Sequence, residues 1–365
     1  MKIGTVTYHR ANNYGAVLQA YGLYKYLQKN GVDVEVIDYW PEHHKRVYSA
    51  WTWDQSEFTS YSLSQKILYS VKRIIVFFKT LVRNKNFDSF RGNYLKISKG
   101  TKNYYDGVFY GSDTIWNRWN LNNLHTGFDD VMWGNDVIKS TYKFSYAPSM
   151  GNVIDTKETK EYCNTMLPNF SMISVRESNL QEKLTEWGIS GVQKVIDPTM
   201  LLKKEEWEDI TPSLDLSNDY ILCYNLEHSV IIDNIAKKMS LKHNLKVVYL
   251  TSTITKSFSK YVKDTAGPSE FLSLFKNAKY IVTSSFHGVV FSIIFEKSFC
   301  FNSNTETERI TSLLDSAGLS DRFVKDDSIH IFEKRIEFDD VRERLEPIKE
   351  QSYAYIRDCL NILEK

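Results

Sequence analysis

The stretch KIGTVTYHRANNYGAVLQAYGLYKYLQKNGVDVEVIDY, residues 2–39, decides the fold class of this chain. Residues 3–8 and 34–39 are predicted strands, and the apolar spacing of residues 14–29 predicts a helix that stops at Gly31. Strand, helix and strand in this order form a β-α-β unit, whose two strands run parallel in one sheet. This part of the chain is therefore expected to form an α/β domain.

The alternation of strands and helices continues to about residue 195 and starts again after a break. The first series has further predicted strands at 107–110, 142–147, 171–175 and 192–195, with helices at 157–167 and 177–187. Residues 197–219 interrupt it with two prolines and the charged run KKEEWED. The second series has predicted strands at 220–224, 246–250, 280–283 and 298–301, with helices at 230–242, 269–277 and 288–296.

Two such series predict an α/β fold of two doubly wound, Rossmann-like domains that face a cleft, where ligands usually bind. The N-terminal α/β domain is expected over residues 1–200, with an aromatic and basic insertion at about 41–100. The C-terminal α/β domain is expected over residues 218–340. A last helix, 345–365, could cross back onto the N-terminal domain.

The composition excludes several classes of protein. The 365 residues include 46 basic and 45 acidic ones, so there is no global field to attract nucleic acid. No run of about 18 uncharged apolar residues exists, and the first residues lack the apolar core of a secretory signal. The four cysteines have no paired spacing and are expected to be buried thiols in a reducing compartment. We therefore expect a cytoplasmic protein.

The common cofactor fingerprints are missing as well. The sequence has no G-x-x-x-x-G-K-[ST], no G-x-G-x-x-G and no H-E-x-x-H. It also has no Asp-x-Asp pair of the kind that holds a metal-bound sugar diphosphate. We expect chemistry without a metal or a bound cofactor.

A histidine stands at the start of a predicted helix that has no acidic residue. In TSSFHGVVFSIIFEK, residues 283–297, a helix capped by Ser284 would have His287 three residues on, and one capped by Ser285 would have Gly288 there. Since no carboxylate occupies the helix amides in either case, an external anion could bind them. Gly288 would allow its close approach, and His287 could donate a hydrogen bond or a proton. The alternative is a histidine that only caps its own helix.

An arginine follows another predicted strand. It lies in SVRE, residues 174–177, where Ser174 and Glu177 fit a capping pair. Arg176 would project near the carboxyl end of the strand, where a guanidinium can hold phosphate or carboxylate with two hydrogen bonds. The alternative is a surface arginine that only solvates the helix start.

Two loops of the first domain also carry candidate binding residues. Asn13 and Gly15 open the first helix, again without an acid in its first turn. In a later loop Asp113 is followed by Trp116 and Asn117. Carboxylate, amide and indole together suit a sugar, whose hydroxyls need acceptors and whose apolar face stacks on aromatic rings. A capped loop with structural tryptophans is the alternative.

Residues 63–86, LSQKILYSVKRIIVFFKTLVRNKN, carry six basic residues and no acid, with apolar residues at helical spacing. Such a stripe can lie in the surface of an anionic membrane. More commonly it packs against its own protein. If it binds membrane, the substrate could be linked to a lipid.

Taken in order, several segments resemble the polysaccharide pyruvyl transferase family. They are NNYGAVLQAYGLYKYL (12–27), GSDTIWN (111–117), YAPSMG (146–151), SVRESNLQEKL (174–184), VIDPTMLL (195–202), PSEFLSLFKNAKYIVTSSFHGVVFSIIFEKSFC (268–300) and RITSLLDSAGLSDR (309–322). Each motif is weak singly, but their order and spacing make the resemblance specific. It extends over about residues 1–325, apart from the insertion.

The resemblance implies a GT-B-like fold, phosphoenolpyruvate as donor and a sugar diol as acceptor, giving a cyclic pyruvate ketal in surface or capsular polysaccharide biosynthesis. It implicates Arg176 and His287 in donor binding or catalysis, and we assign Ser284, Ser285 and Gly288 to the same donor site. Some family members have an arginine two residues before the histidine, where this chain has Ser285. Either a cation from elsewhere in the cleft takes its place, or the serine hydroxyl and the helix amides suffice.

The reaction that the resemblance implies needs one acid, one base and a cationic group that holds the donor. His287 is predicted as the general acid or as a donor to the phosphate, and Asp113 as the base or as an anchor for an acceptor hydroxyl. The remaining residues of the predicted acceptor site are Asn13, Gly15, Trp116 and Asn117.

Two other functions fit the same features, because a fold alone does not determine chemistry. A metal-independent GT-B-type glycosyltransferase would use a nucleotide sugar on the same scaffold. A non-catalytic carbohydrate-binding assembly protein would rely on the aromatic surface and the basic helix.

Overall fold

The computed structural model describes residues 1–49, 58–59, 61–120, 125–151, 153–213, 219–251, 258–304 and 308–364. Within these residues the first large sheet has four strands, all parallel. Their spatial order is β2 (Asp33–Val36), β1 (Lys2–Val6), β3 (Tyr104–Tyr110) and β6 (Lys139–Ser145). The central strand β1 is buried from its second residue on, as expected for a parallel sheet covered on both faces.

Helix α1 (Tyr14–Lys29) connects β1 to β2, which confirms the predicted β-α-β unit with the predicted helix bounds. Its core face buries Val17, Leu18 and Leu27 completely. Its N-cap is Asn13, whose side chain accepts a hydrogen bond from the amide of Ala16 at 3.3 Å. The start of α1 therefore lies at the carboxyl end of β1, where α/β proteins place their ligands.

Further helices and short strands surround this sheet. They are α2 (Glu42–Val47), α3 (Leu63–Tyr94), the antiparallel pair β4 (Trp119–Asn120) and β5 (Thr126–Gly127), α4 (Lys157–Met166), β7 (Ser174–Val175), α5 (Ser178–Glu186) and β8 (Gln193–Lys194). The last two strands pair parallel to each other. Part of the predicted aromatic insertion, residues 50–57 and 60, lies outside the described residues.

The predicted break at 197–219 contains a 3-10 helix, Pro198–Leu201, and the short helix α6 (Lys204–Glu208). Trp207 in α6 is fully buried and donates its indole N–H to the carbonyl of Thr199 at 3.0 Å. The break is therefore packed structure over these residues rather than an exposed linker. Residues 214–218 lie outside the described part of the chain.

The second large sheet has five parallel strands among the described residues. Their spatial order is β11 (Tyr261–Lys263), β10 (Lys246–Leu250), β9 (Tyr220–Tyr224), β12 (Tyr280–Thr283) and β13 (Ser298–Phe301). Four of these strands have the predicted bounds, whereas β11 was not predicted because it is a short, largely exposed edge strand. The helices of this series are α7 (Val230–His243), α8 (Pro268–Asn277), α9 (Phe286–Ile294) and α10 (Glu308–Ser316).

The two sheets meet through α1 and the C-terminal helix α11 (Phe338–Leu363). Tyr14 of α1 stacks on Phe271 of α8, with ring centroids 4.6 Å apart. In α11, Tyr355 donates its hydroxyl to the carbonyl of Ser145 in β6 at 2.7 Å. Helix α11 begins earlier than predicted and continues through Pro347.

Helix α3 begins at Leu63 as a 32-residue helix, and its first 20 residues are all half-buried or exposed. Its buried residues are Arg83, Phe87, Phe90 and Arg91 in the C-terminal part. The expectation that the apolar stripe of this helix packs against its own protein is wrong for residues 63–82, where the stripe faces outward.

Candidate active site

The candidate site lies where β12 ends and α9 begins. Ser285 is the N-cap residue of α9, so the helix starts at Phe286 with His287 as its second residue. Within the described part of the chain the Ser285 side chain makes no capping hydrogen bond, and the first turn has no acidic residue. Ser284 lies one residue before the cap, and its Oγ accepts a hydrogen bond from the amide of Glu227 at 3.1 Å. No carboxylate of the described structure therefore caps the amides at the start of α9, as the sequence predicted.

His287 reaches from the second sheet to the first helix of the chain. A Cβ built on Gly15 would lie 2.0 Å from His287 Nδ1, so the ring occupies the space that a side chain at Gly15 would take. The His287 side chain is 13% exposed, and its Nε2 has no hydrogen-bond partner among the described residues. Burial lowers the pKa of His287 below its ordinary value, although the carboxylates of Asp197 and Asp113 act to raise it.

Arg176 is not a surface residue. Its side chain is 5% exposed, and its Nε donates to Glu177 Oε1 at 2.8 Å while its Nη1 donates to Asp197 Oδ2 at 2.9 Å. Its Nη2 is buried and finds no partner in the described ranges. Burial alone would lower the pKa of Arg176, but the two carboxylates hold it above its usual value.

The role predicted for Glu177 in helix capping is wrong. Ser174 belongs to β7, and Glu177 is itself the N-cap residue of α5, without a side-chain capping bond in the described structure. The Glu177 carboxylate accepts from Arg176 instead. A carboxylate forms a stronger, charge-assisted hydrogen bond with a guanidinium than with an uncharged helix amide.

Asp197 is a site residue that sequence reasoning missed. Its Oδ1 accepts from Thr199, at 3.0 Å from the amide and 2.7 Å from the hydroxyl. Its Oδ2 accepts from Arg176 and lies 3.8 Å from His287 Nε2, too far for a hydrogen bond. Burial alone would raise the pKa of Asp197, but His287 and Arg176 hold it below its usual value. The signal for Asp197 in the sequence was the segment VIDP, in which an acidic residue follows a predicted strand and precedes a proline.

Arg309, in the first turn of α10, is a second cation close to this cluster. Its charge acts on Arg176 and His287, and the carboxylates of Asp113, Asp197 and Glu177 act on it. Burial, together with the repulsion from Arg176, lowers the pKa of Arg309. A cation from another part of the chain therefore acts on this cluster.

Asp113 faces the cluster from the first sheet. It follows β3 in a left-handed backbone conformation, with φ of 70°, and its Oδ1 accepts from the amide of Thr114 at 2.8 Å. Its backbone pairs with Pro148, whose carbonyl accepts from the amide of Arg176 at 3.4 Å, and its charge acts on both His287 and Arg176. Asn117 lies in the turn that follows, with its amide N–H bonded to the carbonyl of Thr114 at 3.1 Å.

The prediction that Trp116 binds the acceptor is wrong. It is fully buried, stacks on Trp133 with ring centroids 4.6 Å apart, and donates its N–H to the carbonyl of Met132. A large ring between other aromatic residues stabilises the core instead of stacking on a sugar. Trp119, three residues on, is half-buried and packs against the same core.

Trp119 belongs to a cluster of aromatic rings and histidines beside Asp113. It donates its N–H to the hydroxyl of Tyr8 at 3.1 Å and packs edge-on against His44, while His43 stacks on His125. Burial lowers the pKa of His43 and of His44 to about 4, so both rings are neutral near pH 7. A neutral imidazole can donate and accept a hydrogen bond, which suits sugar hydroxyls.

The remaining predicted residues lie at the edges of this site. Asn13 lines a cavity of about 360 Å³ together with Tyr14, Arg83 and other residues of α1 and α3. At Gly288 the space for a Cβ is filled by Thr283 Oγ1, 2.1 Å away, so this glycine lets the strand end and the helix start pack closely. A larger cavity of about 720 Å³ lies between α1, α6, α9 and α11 and contains none of the predicted site residues.

Three further features of the described residues bear on the chemistry of the protein. No cluster of three or more His, Cys, Asp or Glu side chains there has the geometry to hold a metal ion. No helix in the described ranges is sufficiently long and apolar to cross a membrane. All four cysteines are buried free thiols.

Two parallel sheets with a site between them, at the carboxyl ends of their strands, define a GT-B-like two-domain fold. Solved structures share it: the UDP-N-acetylglucosamine 2-epimerase of Rickettsia bellii matches with 10% identity and a TM-score of 0.51, covering 100% of this chain and 97% of that one. The putative UDP-N-acetylglucosamine 2-epimerase of Listeria monocytogenes matches with 8% identity and a TM-score of 0.54, covering 99% and 96%. The UDP-GlcNAc 2-epimerase of Neisseria meningitidis, solved with UDP-GlcNAc bound, matches with 11% identity and a TM-score of 0.50 over 100% of both chains.

At these identities the likeness concerns the fold. No curated protein matches the chain. The family model for polysaccharide pyruvyl transferase matches residues 13–305, and the chain belongs to this family of transferases. The resemblance carried by the ordered motifs is thereby confirmed.

Proposed function

We propose that the chain transfers the pyruvyl group of phosphoenolpyruvate to two hydroxyls of a sugar, forming a cyclic ketal and releasing phosphate. The reaction would take place during the biosynthesis of a surface or capsular polysaccharide in the cytoplasm. It uses phosphoenolpyruvate as co-substrate, without a metal or a bound cofactor.

The observation that carries this proposal is a pair of buried donors without partners. Arg176 Nη2 and His287 Nε2 have no hydrogen-bond partner within the described residues. Arg176 Nη1 donates to Asp197 Oδ2 at 2.9 Å and His287 Nε2 lies 3.8 Å from the same oxygen, so the two unpaired nitrogens belong to one cluster. A buried donor left unpaired costs about 1–3 kcal/mol, which an anionic ligand would recover.

The charges of the cluster decide how an anion can bind. With a neutral histidine, the single cation Arg176 faces the two carboxylates of Glu177 and Asp197. An anionic donor therefore needs further positive charge, which protonation of His287 and the nearby Arg309 supply. The amides at the start of α9 add a partial positive charge.

The proposed reaction begins with protonation of the methylene carbon of the enol phosphate, with His287 as the acid. This generates an oxocarbenium-like centre at the adjacent carbon, which one sugar hydroxyl attacks as it loses its proton. The C–O bond to phosphate then breaks, and the second hydroxyl closes the ring with loss of its own proton. Asp113 is the proposed base or hydroxyl anchor, because its charge acts on the same cleft.

The acceptor is proposed to lie on the side of the first sheet. There the half-buried Trp119 packs edge-on against His44, a neutral imidazole on which the charge of Asp113 acts. Asn117 and the start of α1 at Asn13 and Gly15 complete this side. The combination suits a sugar better than a second anion, because neither imidazole of the His43–His44 pair carries charge near pH 7.

The test is phosphate release in the presence of phosphoenolpyruvate and a galactosyl or mannosyl acceptor, with the product identified by its gain in mass. His287→Gln should lower the rate at least ~100-fold, the loss expected for an acid or base. The matched control is His330→Gln, because the side chain of His330 is 82% exposed and lies outside the cluster.

Near-normal turnover in His287→Gln would contradict the assignment. Phosphate release that does not depend on the acceptor would contradict ketal transfer. A thermal-shift measurement separates the rival enzyme: stabilisation by phosphoenolpyruvate supports the proposal, and stabilisation by a sugar nucleotide instead supports a glycosyltransferase.

A further inference from the structure

The outward face of α3 is an unusual surface for a water-exposed helix. Nine large apolar side chains between residues 63 and 82 are 42–77% exposed. On a helical wheel of 100° per residue they fall within an arc of about 140°. We call this surface the apolar stripe; its members are Leu63, Ile67, Leu68, Val71, Ile74, Ile75, Phe78, Leu81 and Val82.

The stripe is continuous and long. Twenty helical residues extend about 30 Å, so the apolar surface is far larger than that of a single exposed side chain. The polar residues of the helix lie mostly beside the stripe or toward the body, where Ser70 and Thr80 bond back to carbonyls of their own helix. Contiguous exposed apolar surface of this kind marks an interaction site.

The basic residues beside the apolar stripe indicate which kind of partner it binds. Residues 63–86 contain six basic residues and no acidic one. Lys72 and Lys85 are exposed, and Lys79 is paired with Asp264. A second copy of this chain packed stripe to stripe would bring two sets of cations together, whereas anionic lipid headgroups would neutralise them.

We infer that the apolar stripe lies in the surface of a membrane that contains anionic phospholipids. The helix would rest in the plane of the interface with its apolar residues among the acyl chains and its lysines at the headgroups. It would not span the bilayer, because no described helix is apolar enough to do so.

The position of the apolar stripe connects membrane binding with the candidate active site. The stripe ends at Val82, and the next residues turn toward the cleft. Arg83 donates to the hydroxyl of Tyr14 at 2.9 Å, and Arg83 and Asn84 line the 360 Å³ cavity with Asn13. A membrane held against α3 therefore brings this cavity close to the headgroups. A lipid-linked acceptor could reach the site by this route, and this step rests on the proposed function. The inference that α3 binds a membrane does not depend on it.

The first experiment is sedimentation of the full chain with vesicles of phosphatidylcholine alone and of phosphatidylcholine with phosphatidylglycerol. We expect binding to the anionic vesicles that weakens as salt is raised. The triple variant Ile67→Ser, Ile74→Ser and Phe78→Ser should bind at least about tenfold more weakly, since it removes the centre of the apolar stripe. The matched control is Val230→Ser with Leu241→Ser, two side chains of α7 that are 69% and 85% exposed.

The second experiment locates the contact. Because all four native cysteines are buried, an environment-sensitive dye will react selectively with a new thiol at Ile74→Cys. Its emission should rise and shift to the blue with anionic vesicles, and a label at Leu241→Cys should not respond. Folding of each variant is checked by its thermal transition.

Several results would overturn the inference. They are absence of sedimentation with anionic vesicles, equal binding by the triple variant, or a dimer that the triple variant converts to a monomer. Turnover with a soluble acceptor separates the two proposals: it should be unchanged in the triple variant, and its absence in the wild type would contradict the proposed function without affecting the membrane result.

Discussion

Replacing Gly15 with alanine tests whether the contact between α1 and His287 belongs to the catalytic state. A Cβ at position 15 would lie 2.0 Å from His287 Nδ1, whereas an ordinary contact begins at 3.4 Å. The imidazole must therefore withdraw by about 1.4 Å, because the packed cleft leaves the backbone of α1 little room to move. A displacement of about 1 Å at a reacting group can cost on the order of 100-fold in rate.

The same substitution should leave the protein folded. Gly15 is the second residue of α1, and alanine there gains up to about 1 kcal/mol in helix propensity. Overpacking against the histidine costs about 1–3 kcal/mol, so the net loss of stability is at most about 3 kcal/mol. The expected phenotype is thus an inactive protein that still folds cooperatively.

The assay is acceptor-dependent phosphate release, with the thermal transition measured on the same preparation. The matched control is Gly92→Ala, since in the described structure a Cβ built on this glycine of α3 meets no atom within 4 Å. The control should keep full activity and gain about 0.5–1 kcal/mol of stability. If Gly15→Ala retains more than about a third of the wild-type activity, the reasoning from the ~100-fold cost of a misplaced group is refuted.

Local patterns in the sequence were sufficient for the regular elements. Helix α1 and strands β9, β10, β12 and β13 have the predicted bounds, because each is an apolar run with a clear stop signal. Helix α11 shows the limit of such signals. Pro347 lies inside it, and tertiary packing of Tyr355 against β6 holds a helix that propensity alone would interrupt.

The chemistry of the site depends on pairings that are distant in sequence. Asp197 meets Arg176 across 21 residues and His287 across 90, so no local window contains the cluster. Burial cannot be read from the sequence either: Trp116 and Trp119 look alike there, yet Trp116 is fully buried and Trp119 is only half-buried. The pattern of α3 predicts an amphipathic helix but not which way its apolar face points.

The remaining predictions concern the charges around the donor. Arg309→Ala should raise the KM for phosphoenolpyruvate at least ~10-fold with a smaller change in kcat, since it removes a cation that acts on the cluster; an unchanged KM would exclude Arg309 from the donor site. For His287, activity that requires the protonated ring must fall as pH rises through its pKa, and burial places that pKa below the ordinary value of ~6.5. The isosteric change Asp197→Asn removes the anion 3.8 Å from Nε2, so the pKa of His287 should fall further and the midpoint of log kcat/KM against pH should move to lower pH. A midpoint that stays in place or moves upward, in a variant with a normal thermal transition, would mean that Asp197 does not act on the proton of His287.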